Sequence, residues 1–299
     1  YLNENIFKTN KYLFLLVPLT LSFIAFIFYL LENINNNDQL ISKLENSLIY
    51  TKNIFEEEKK YALSLAILLS KDKEIIQSFL KKDRVESFNF VNKKIATLKN
   101  LQNSNIEIQI HNQDLKTYIR SWDIEIKDIP LSSFRQGLVK VKESLEPLVS
   151  IELGKRLNIK AISPFIVNNK FIGSIEVIIN FERLTKRLNE NSLNMYVLLD
   201  NKYLNIAKDL VDNQKIKNFI LVNQKRINAK IFKDVDLKNL KDYGYFTNQN
   251  FAFSYFTFYS LSREKLGYVI ISLKNSNNIH LSNTYEKQLN KIKNGIIIE

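Results

Sequence analysis

Between Tyr12 and Leu31 the chain reads YLFLLVPLTLSFIAFIFYLL, a run without a single charged residue. At about 1.5 Å rise per residue, a helix of roughly 20 apolar residues crosses a hydrocarbon core about 30 Å thick. Tyr12 and Tyr29 sit near its two ends, where amphipathic rings favour the membrane interface. Pro18 falls in the first turns, where a membrane helix tolerates it. A secretory leader would have a shorter apolar core, about 7–15 residues, and a small-residue cleavage site, which does not follow Leu31. A soluble core helix is seldom apolar on every face over such a length. The run therefore reads as a membrane span. Lys8 and Lys11 precede it, whereas Glu32 and Asp38 follow. The positive-inside bias puts residues 1–11 in the cytoplasm, residues 12–31 across the inner membrane, and the rest in the periplasm or outside.

With 299 residues, the chain has room for two modules beyond the span. A formal net charge of +12 raises nucleic acid as a partner. The basic residues are mostly Lys scattered among Asn and Ile, with no dense basic stripe interleaved with aromatics, so nucleic acid is not expected. The absence of Cys removes disulfide frameworks and thiolate metal sites.

Residues 34–101 contain neither Gly nor Pro. Leu40, Leu44, Leu48 and Phe55 recur at helical spacing, with Ile41 and Ile54 beside them. Asn36, Asn37 and Asp38 offer N-cap oxygens, so a long helix is expected from there through EEEKK (56–60) and YALSLAILL (61–69). Asp72 and Asp83 read as caps of shorter helices. The apolar face over 40–69 suits either packing on its own domain or a parallel dimer seam, since the heptad pattern is short of three clean repeats.

From Ile106 the period changes to two. IEIQIH (106–111) and LKTYIRSW (115–122) alternate on either side of NQD, predicting a hairpin. After a loop with Pro130, a helix is expected over Phe134–Leu145, stopped by Pro147. LVSIEL (148–153), NIKAISPFIV (158–167) and KFIGSIEVIINF (170–181) read as strands, and a helix follows at Glu182–Asn189. The order is that of an α+β module with a five-stranded antiparallel sheet. A second module begins with a hairpin of MYVLLD (195–200) and YLNIAK (203–208) across Asn201-Lys202. Pattern does not resolve 209–242, and three strands follow at 243–248, 251–260 and 266–274. Residues 276–294 are expected to be helical, and Ile296–Ile298 to be either the first residues of a second span or a frayed tail.

Five short motifs stand in order: IEIQIH, TYIRSWD (117–123), DIPLSSFRQ (128–136), IELGKR (151–156) and FIGSIEV (171–177). With a span, a long ascending helix and two tandem sheet modules, the chain resembles the double Cache sensor domains of bacterial chemoreceptors, sensor kinases and diguanylate cyclases. The likeness is nearest to the variant called dCache_3. The motifs cover 106–177, and the remainder resembles the family through architecture alone. Where that family carries an Arg before its G-V-x-P strand, NIKAISPF has Lys160. The resemblance implies an α+β fold: transmembrane helix, long α-helix, two tandem PAS-like (Cache) antiparallel-sheet modules and a descending C-terminal helix. The division is 32–101 for the helical region, 102–190 for the membrane-distal module, 191–275 for the proximal one and 276–299 for the descending helix. It further implies a sensor without enzymatic chemistry or cofactor. A small molecule would sit between the distal sheet and its covering loop, and a homodimer of long helices would pass the signal to an output module outside this chain.

Candidate ligand residues follow from local chemistry. Arg120 and Trp122 lie two apart on an expected strand and so share a face. A guanidinium beside an indole suits a small carboxylate with an apolar tail. Tyr118 would share that face and offer a hydroxyl. Arg135, at a helix start, points either to the pocket or to a loop carbonyl. Glu152 and Glu176 lack an accompanying nucleophile, so one of them is expected to balance Arg120 or Arg156 in a buried network rather than act as acid or base. Tyr118, Arg120, Trp122, Arg135, Glu152 and Lys160 form the candidate set, and because Arg and Lys outnumber acids around 118–160 the expected ligand is an organic anion. His111 reads as a structural hydrogen-bonder with no second His nearby, and no metal is expected. The rival reading is a membrane-tethered scaffold or adhesin, whose distal pocket would be filled by side chains.

Overall fold

The computed structural model describes residues 2–102, 105–233, 235–238, 240–276, 279 and 281. Helix α1 (Leu2–Leu69) runs unbroken for 68 residues, about 100 Å at 1.5 Å per residue. Pro18 lies inside it, and Asn36–Asp38 continue it instead of capping a new start. A side-chain cap matters only where backbone N–H groups lack a carbonyl four residues back, and an uninterrupted helix supplies those carbonyls. From Leu16 to Leu31 the large side chains are exposed, and the most apolar 18-residue window has a mean hydropathy of 1.8 with none of it buried. By length and composition this is a candidate membrane span. From Leu40 onward one face of α1 is buried against the chain's own two sheets. Helix α2 (Lys73–Leu80) is capped by Asp72, whose Oδ1 accepts from the Ile75 N–H at 3.2 Å. At the start of α3 (Arg84–Gln102), Asp83 Oδ1 accepts from the Glu86 N–H at 2.9 Å.

The first sheet is antiparallel in the order β2-β1-β5-β4-β3. Its strands are β1 (Ile106–Asn112), β2 (Thr117–Arg120), β3 (Leu148–Leu153), β4 (Leu157–Val167) and β5 (Lys170–Ile179). Helix α4 (Gln136–Ser144) lies between β2 and β3, and α5 (Glu182–Glu190) follows β5. Because side chains alternate, each strand faces two environments. Ile108, Ile110, Ile159, Ala161, Ile175 and Val177 point to the α1 side and are fully buried. The other face carries Gln109, His111, Ser150, Glu152, Lys160 and Glu176, also buried, beneath α4 and the loop over 121–135. Such a face is unusual, since buried charge is tolerated only with partners.

The second sheet has the order β7-β8-β6-β11-β10-β9. It comprises β6 (Asn194–Asp200), β7 (Lys215–Ile216), β8 (Phe219–Leu221), β9 (Tyr243–Thr247), β10 (Phe251–Tyr259) and β11 (Lys265–Lys274). The three C-terminal strands stand where alternation predicts them. The hairpin of 195–208 does not form. Residues Asn201–Asn205 and Lys208–Leu210 are short 3-10 helices, the first capped by Asp200 Oδ1 on the Lys202 N–H at 3.0 Å. Strand β6 is buried on both faces and takes its partners from afar, β11 and β8, so local alternation misreads it. Its sheet's outer face is filled by Tyr196, Phe246, Phe253, Tyr255 and Tyr268, with Phe232, Leu237 and Leu240 packed over them. The helix expected over 276–294, apart from 276, 279 and 281, and the segment from Ile296 lie outside the described residues.

The two sheets occupy different heights on α1. Ser47 Oγ meets Ser254 Oγ of β10 at 2.8 Å, whereas Ser70 accepts from Ser163 of β4 at 2.8 Å. The first sheet is thus the one farther from the apolar run. Helix α5 joins the sheets and is clamped to α1. Arg183 Nε donates to the fully buried Glu58 at 2.6 Å, Arg187 Nη1 approaches the same carboxylate at 3.6 Å, and Arg187 Nη2 donates to Glu57 at 2.7 Å. Replacing Glu58 with Ala should destabilise the chain by roughly 1–3 kcal/mol, since two guanidinium groups lose a charged acceptor. The exposed Lys60→Ala should stay within about 0.5 kcal/mol of wild type in urea unfolding.

Candidate functional site

The charged face of the first sheet is organised by Arg135. Helix α4 begins at Gln136, which leaves Arg135 ahead of it with a side chain free to reach the sheet. Its Nε donates to Glu152 Oε2 at 3.0 Å, Nη1 donates to Glu176 Oε2 at 3.3 Å, and Nη2 donates to Glu176 Oε1. Ser150 Oγ donates to the second Glu152 oxygen at 3.2 Å. Burial alone raises the Glu176 pKa, but Arg135, then Lys160, outweigh it and hold the carboxyl below its ordinary value. Burial likewise opposes charge on Arg135, yet the two carboxylates keep its pKa above the ordinary arginine value. Gly137 lets the first turn of α4 settle on this network, since a Cβ there would overlap the Glu152 carboxylate. His111 completes the layer, with Nδ1 3.0 Å from Ser174 Oγ and Nε2 3.6 Å from Glu176. Burial pushes its pKa down to about 3 against the pull of Glu176, so the ring is neutral and the contact with Glu176 is no ion pair.

Beside this network lies a cavity of ≈ 330 Å³. Its floor is the sheet, through Gln109, Asn158, Lys160 and Ile178, and its cover is the loop carrying Trp122, Ile126, Ile129 and Phe134. Arg120 ends β2 on its wall, 8% exposed, with a buried Nε that has no hydrogen-bond partner. Its guanidinium carbon lies 5.6 Å from the Trp122 ring centroid. Among the described residues no carboxylate stands within ion-pair distance of Arg120. Lys160 is 4% exposed, and its Nζ donates to the Leu153 carbonyl at 3.3 Å. Burial, then the positive charge of Arg135, pulls its pKa down to about 7. A side chain at Gly154 would come within 2.8 Å of the Lys160 nitrogen, so this glycine keeps room for the amine.

Of the six residues singled out in the sequence, Arg120, Trp122, Arg135 and Lys160 line the cavity. Glu152 lies beneath it, bound to Arg135; the expected partner Arg156 instead pairs with Glu107 at 2.5 Å. Tyr118 is turned away. A bulge sets Thr117 opposite His111 and Arg120 opposite Gln109, so Tyr118 does not share the Arg120 face. Its ring packs edge-on against Phe79 of α2, centroids 4.9 Å apart. Trp122 lies past the strand end, in a turn where the Asp123 N–H donates to the Arg120 carbonyl at 3.1 Å, and reaches the cavity from there. Sequence reasoning passed over Gln109 and Asn158, although the alternation of their strands carries the signal. It also missed Asp209, which comes from beyond β6 and whose N–H donates to the Lys155 carbonyl at 3.0 Å. Asp209 Oδ2 lies 3.9 Å from Arg156 Nε, so the cavity wall includes a residue of the second sheet's connection. Among the described residues no group of three or more His, Asp or Glu side chains is placed to hold a metal. A more open groove of ≈ 720 Å³ lies between α1 and the second sheet, near Lys43, Tyr50, Leu193 and Phe251; its lysines are exposed.

The model of the dCache_3 family, described as a double sensory domain of two-component sensor kinases, matches residues 39–275. Among solved structures, a domain of a sensory box/GGDEF family protein from Vibrio parahaemolyticus superposes with a TM-score of 0.51 at 13% identity, covering 81% of this chain and 99% of that one. The extracellular domain of the histidine kinase vpHK1S-Z8 gives a TM-score of 0.51 at 15% identity, covering 89% and 99%. The sensory domain of the Campylobacter jejuni chemoreceptor Tlp3 gives 0.47 at 13% identity, covering 82% and 97%. At such identities the first two likenesses are of fold. No curated protein matches the sequence.

The buried His111 sets a pH dependence. Folded, it stays neutral down to about pH 3, whereas unfolded it protonates near 6.5. The unfolded chain therefore takes up the proton first, and stability is lost as pH falls below 6.5, by at most about 1.4 kcal/mol per unit from this group. Urea unfolding at pH 7.5, 6.5 and 5.5 should show that loss in the wild type and a flatter profile in His111→Gln. This range lies above that in which Glu176 begins to protonate. Lys160, whose folded pKa is about 7, adds its own loss mainly above pH 6.5, so the step from 6.5 to 5.5 is the one that isolates His111.

Proposed function

We propose that this chain, which belongs to the dCache_3 family of double sensory domains, senses a small organic anion in the cavity of its first sheet. The observation that carries this reading is Arg120, a guanidinium held inside the protein against Trp122 with no carboxylate among the described residues paired to it. A carboxylate entering the cavity would take the guanidinium fork, with Lys160 on the floor as a second donor. Trp122, Ile126, Ile129 and Phe134 offer the apolar surface for the remainder of the ligand. The volume of ≈ 330 Å³ suits a molecule the size of a substituted carboxylate. A second reading rests on Asp123 and Asp209, which also line the wall and would receive the ammonium of an amino acid. A scaffold or adhesin without a small-molecule site has no use for an open cavity beside an unpaired cation.

The placement of the site supports an extracytoplasmic sensor with its signal sent inward. The exposed apolar stretch of α1 would cross the inner membrane, and the same unbroken helix reaches the strands that floor the cavity. Exposed Ile34, Ile49 and Leu68 on α1 are apolar surface that a second copy of the chain would cover. Ligand need favour one arrangement of such helices by only about 1.4 kcal/mol to bias them tenfold.

Thermal unfolding and calorimetry of the full chain in detergent, with acetate, benzoate, benzamide and L-phenylalanine, test the reading. Benzoate should raise the melting temperature and benzamide should not. Arg120→Gln should weaken benzoate at least about tenfold, in keeping with roughly 1.5–3 kcal/mol for a hydrogen bond to a charged group. L-Phenylalanine binding in place of benzoate would move the reading to a zwitterion, and no response to any of the four would favour the scaffold.

A further inference from the structure

Resting on the anion reading of this cavity, we propose that Lys160 makes ligand occupancy proton-linked: an anion that enters beside Arg120 is bound together with a proton taken up by the Lys160 amine. The receptor would then report anion and acidity jointly.

The argument begins with what Lys160 lacks. An ammonium has three donors, and the hydrogen bond it makes here is the long one to the Leu153 carbonyl. The acids on its face are engaged elsewhere. Glu152 on β3 and Glu176 on β5 both bind Arg135, and Glu107 on β1 binds Arg156. Asp209, from the second sheet's connection, lies 3.9 Å from Arg156 Nε. Asp123, in the turn after β2, accepts from the Glu125 N–H at 3.0 Å. The cations are close and numerous: Arg135 before α4, Arg156 in the β3–β4 hairpin, with Lys155 beside it, and Arg120 at the end of β2. His111 on β1 is neutral. From α4, Gly137 is what faces the layer, while Lys142 points away to the Gln113 carbonyl. Helix α1 packs on the opposite face of the sheet.

An amine in that setting holds its proton weakly, in line with a pKa brought down to about 7 by burial and by Arg135. An anion placed between Arg120 and Lys160 reverses the local field and favours the ammonium. The direction follows by linkage. Binding takes up a proton, so affinity is greatest below pH 7 and declines as pH rises through it, by up to about tenfold per unit where only the protonated amine binds. Arg120 remains charged throughout and supplies the pH-independent part.

The experiment is calorimetric titration of the full chain in detergent with acetate and with benzoate, whose carboxyls stay ionised from pH 6 to 9. Near pH 7, paired runs in buffers of different ionisation heat should show uptake of roughly half a proton per bound anion. Lys160→Met should bind weakly with no pH dependence over this range, and Lys160→Arg should bind without the decline above pH 7. If neither anion binds the wild type at any pH, the anion reading falls and the proton linkage falls with it. If an anion binds the wild type with the same affinity from pH 6 to 9, or if the decline survives in Lys160→Met, the linkage alone is overturned.

Discussion

The site depends on one buried interaction, the guanidinium of Arg135 held between Glu152 and Glu176. It ties the residue before α4 to strands β3 and β5 at once, and so fixes how the covering loop sits over the sheet. It also engages Glu152 and Glu176, while Arg156 engages Glu107, and among the described residues this leaves Arg120 and Lys160 facing the cavity with no carboxylate at ion-pair distance. Such a network is no general aid to stability. A well-packed apolar layer often does as well or better, while removing one partner of a buried pair costs about 3–5 kcal/mol. The second sheet makes the same comparison within this chain: its equivalent outer face is closed by Tyr196, Phe253, Tyr255 and Tyr268 and their apolar cover. One architecture is filled two ways, and the charged filling coincides with the cavity beside Arg120.

Strand alternation links that cavity to the long helix. On β4, Lys160 points to the cavity while Ile159 and Ala161 point to α1, and on β5 Glu176 and Val177 divide in the same way. Any shift of the sheet on the cavity side would therefore move the surface on which α1 packs. The helix has no break in which to absorb it between the sheet and the apolar run. Glu58, clamped to α5, holds the joint between the two sheets against the same helix. Asp209 adds a direct contact, since it lines the cavity and belongs to the second sheet's connection.

Elements with strong periodicity were legible in the sequence. The strands from Ile106 to Ile179 lie where the strand-like runs of the sequence place them, and Asp72 and Asp83 cap the helices they precede because short polar side chains there meet unpaired N–H groups. The errors have local physical causes. A single bulge residue reverses which side chains share a face, and this sends Tyr118 to Phe79 while Arg120 goes to the cavity. Strand β6 looked like half of a hairpin because alternation says nothing of where a buried strand finds its neighbours, and its partners lie far along the chain. The partners of the charged residues were the least legible. Arg135 with Glu152, and Arg156 with Glu107, are pairings that register and loop path decide together, and Asp209 carries no sequence signal at all.

Charge around the cavity also shows why net charge is a poor guide to what this chain binds. Arg120, Arg135, Lys155, Arg156 and Lys160 are matched in number by Glu107, Asp123, Glu152, Glu176 and Asp209, so the layer is close to neutral although the chain carries +12. Attraction for an anion cannot come from that sum. It would come from an unequal distribution: Arg135 has two carboxylates, and Arg156 has one at 2.5 Å and another at 3.9 Å, while among the described residues Arg120 and Lys160 have none at ion-pair distance. The exposed lysines elsewhere act through water and salt, which screen them over about 10 Å. The two buried cations act at contact distance in a place where little solvent competes, and there an unpaired charge is worth most to a ligand that can pair it.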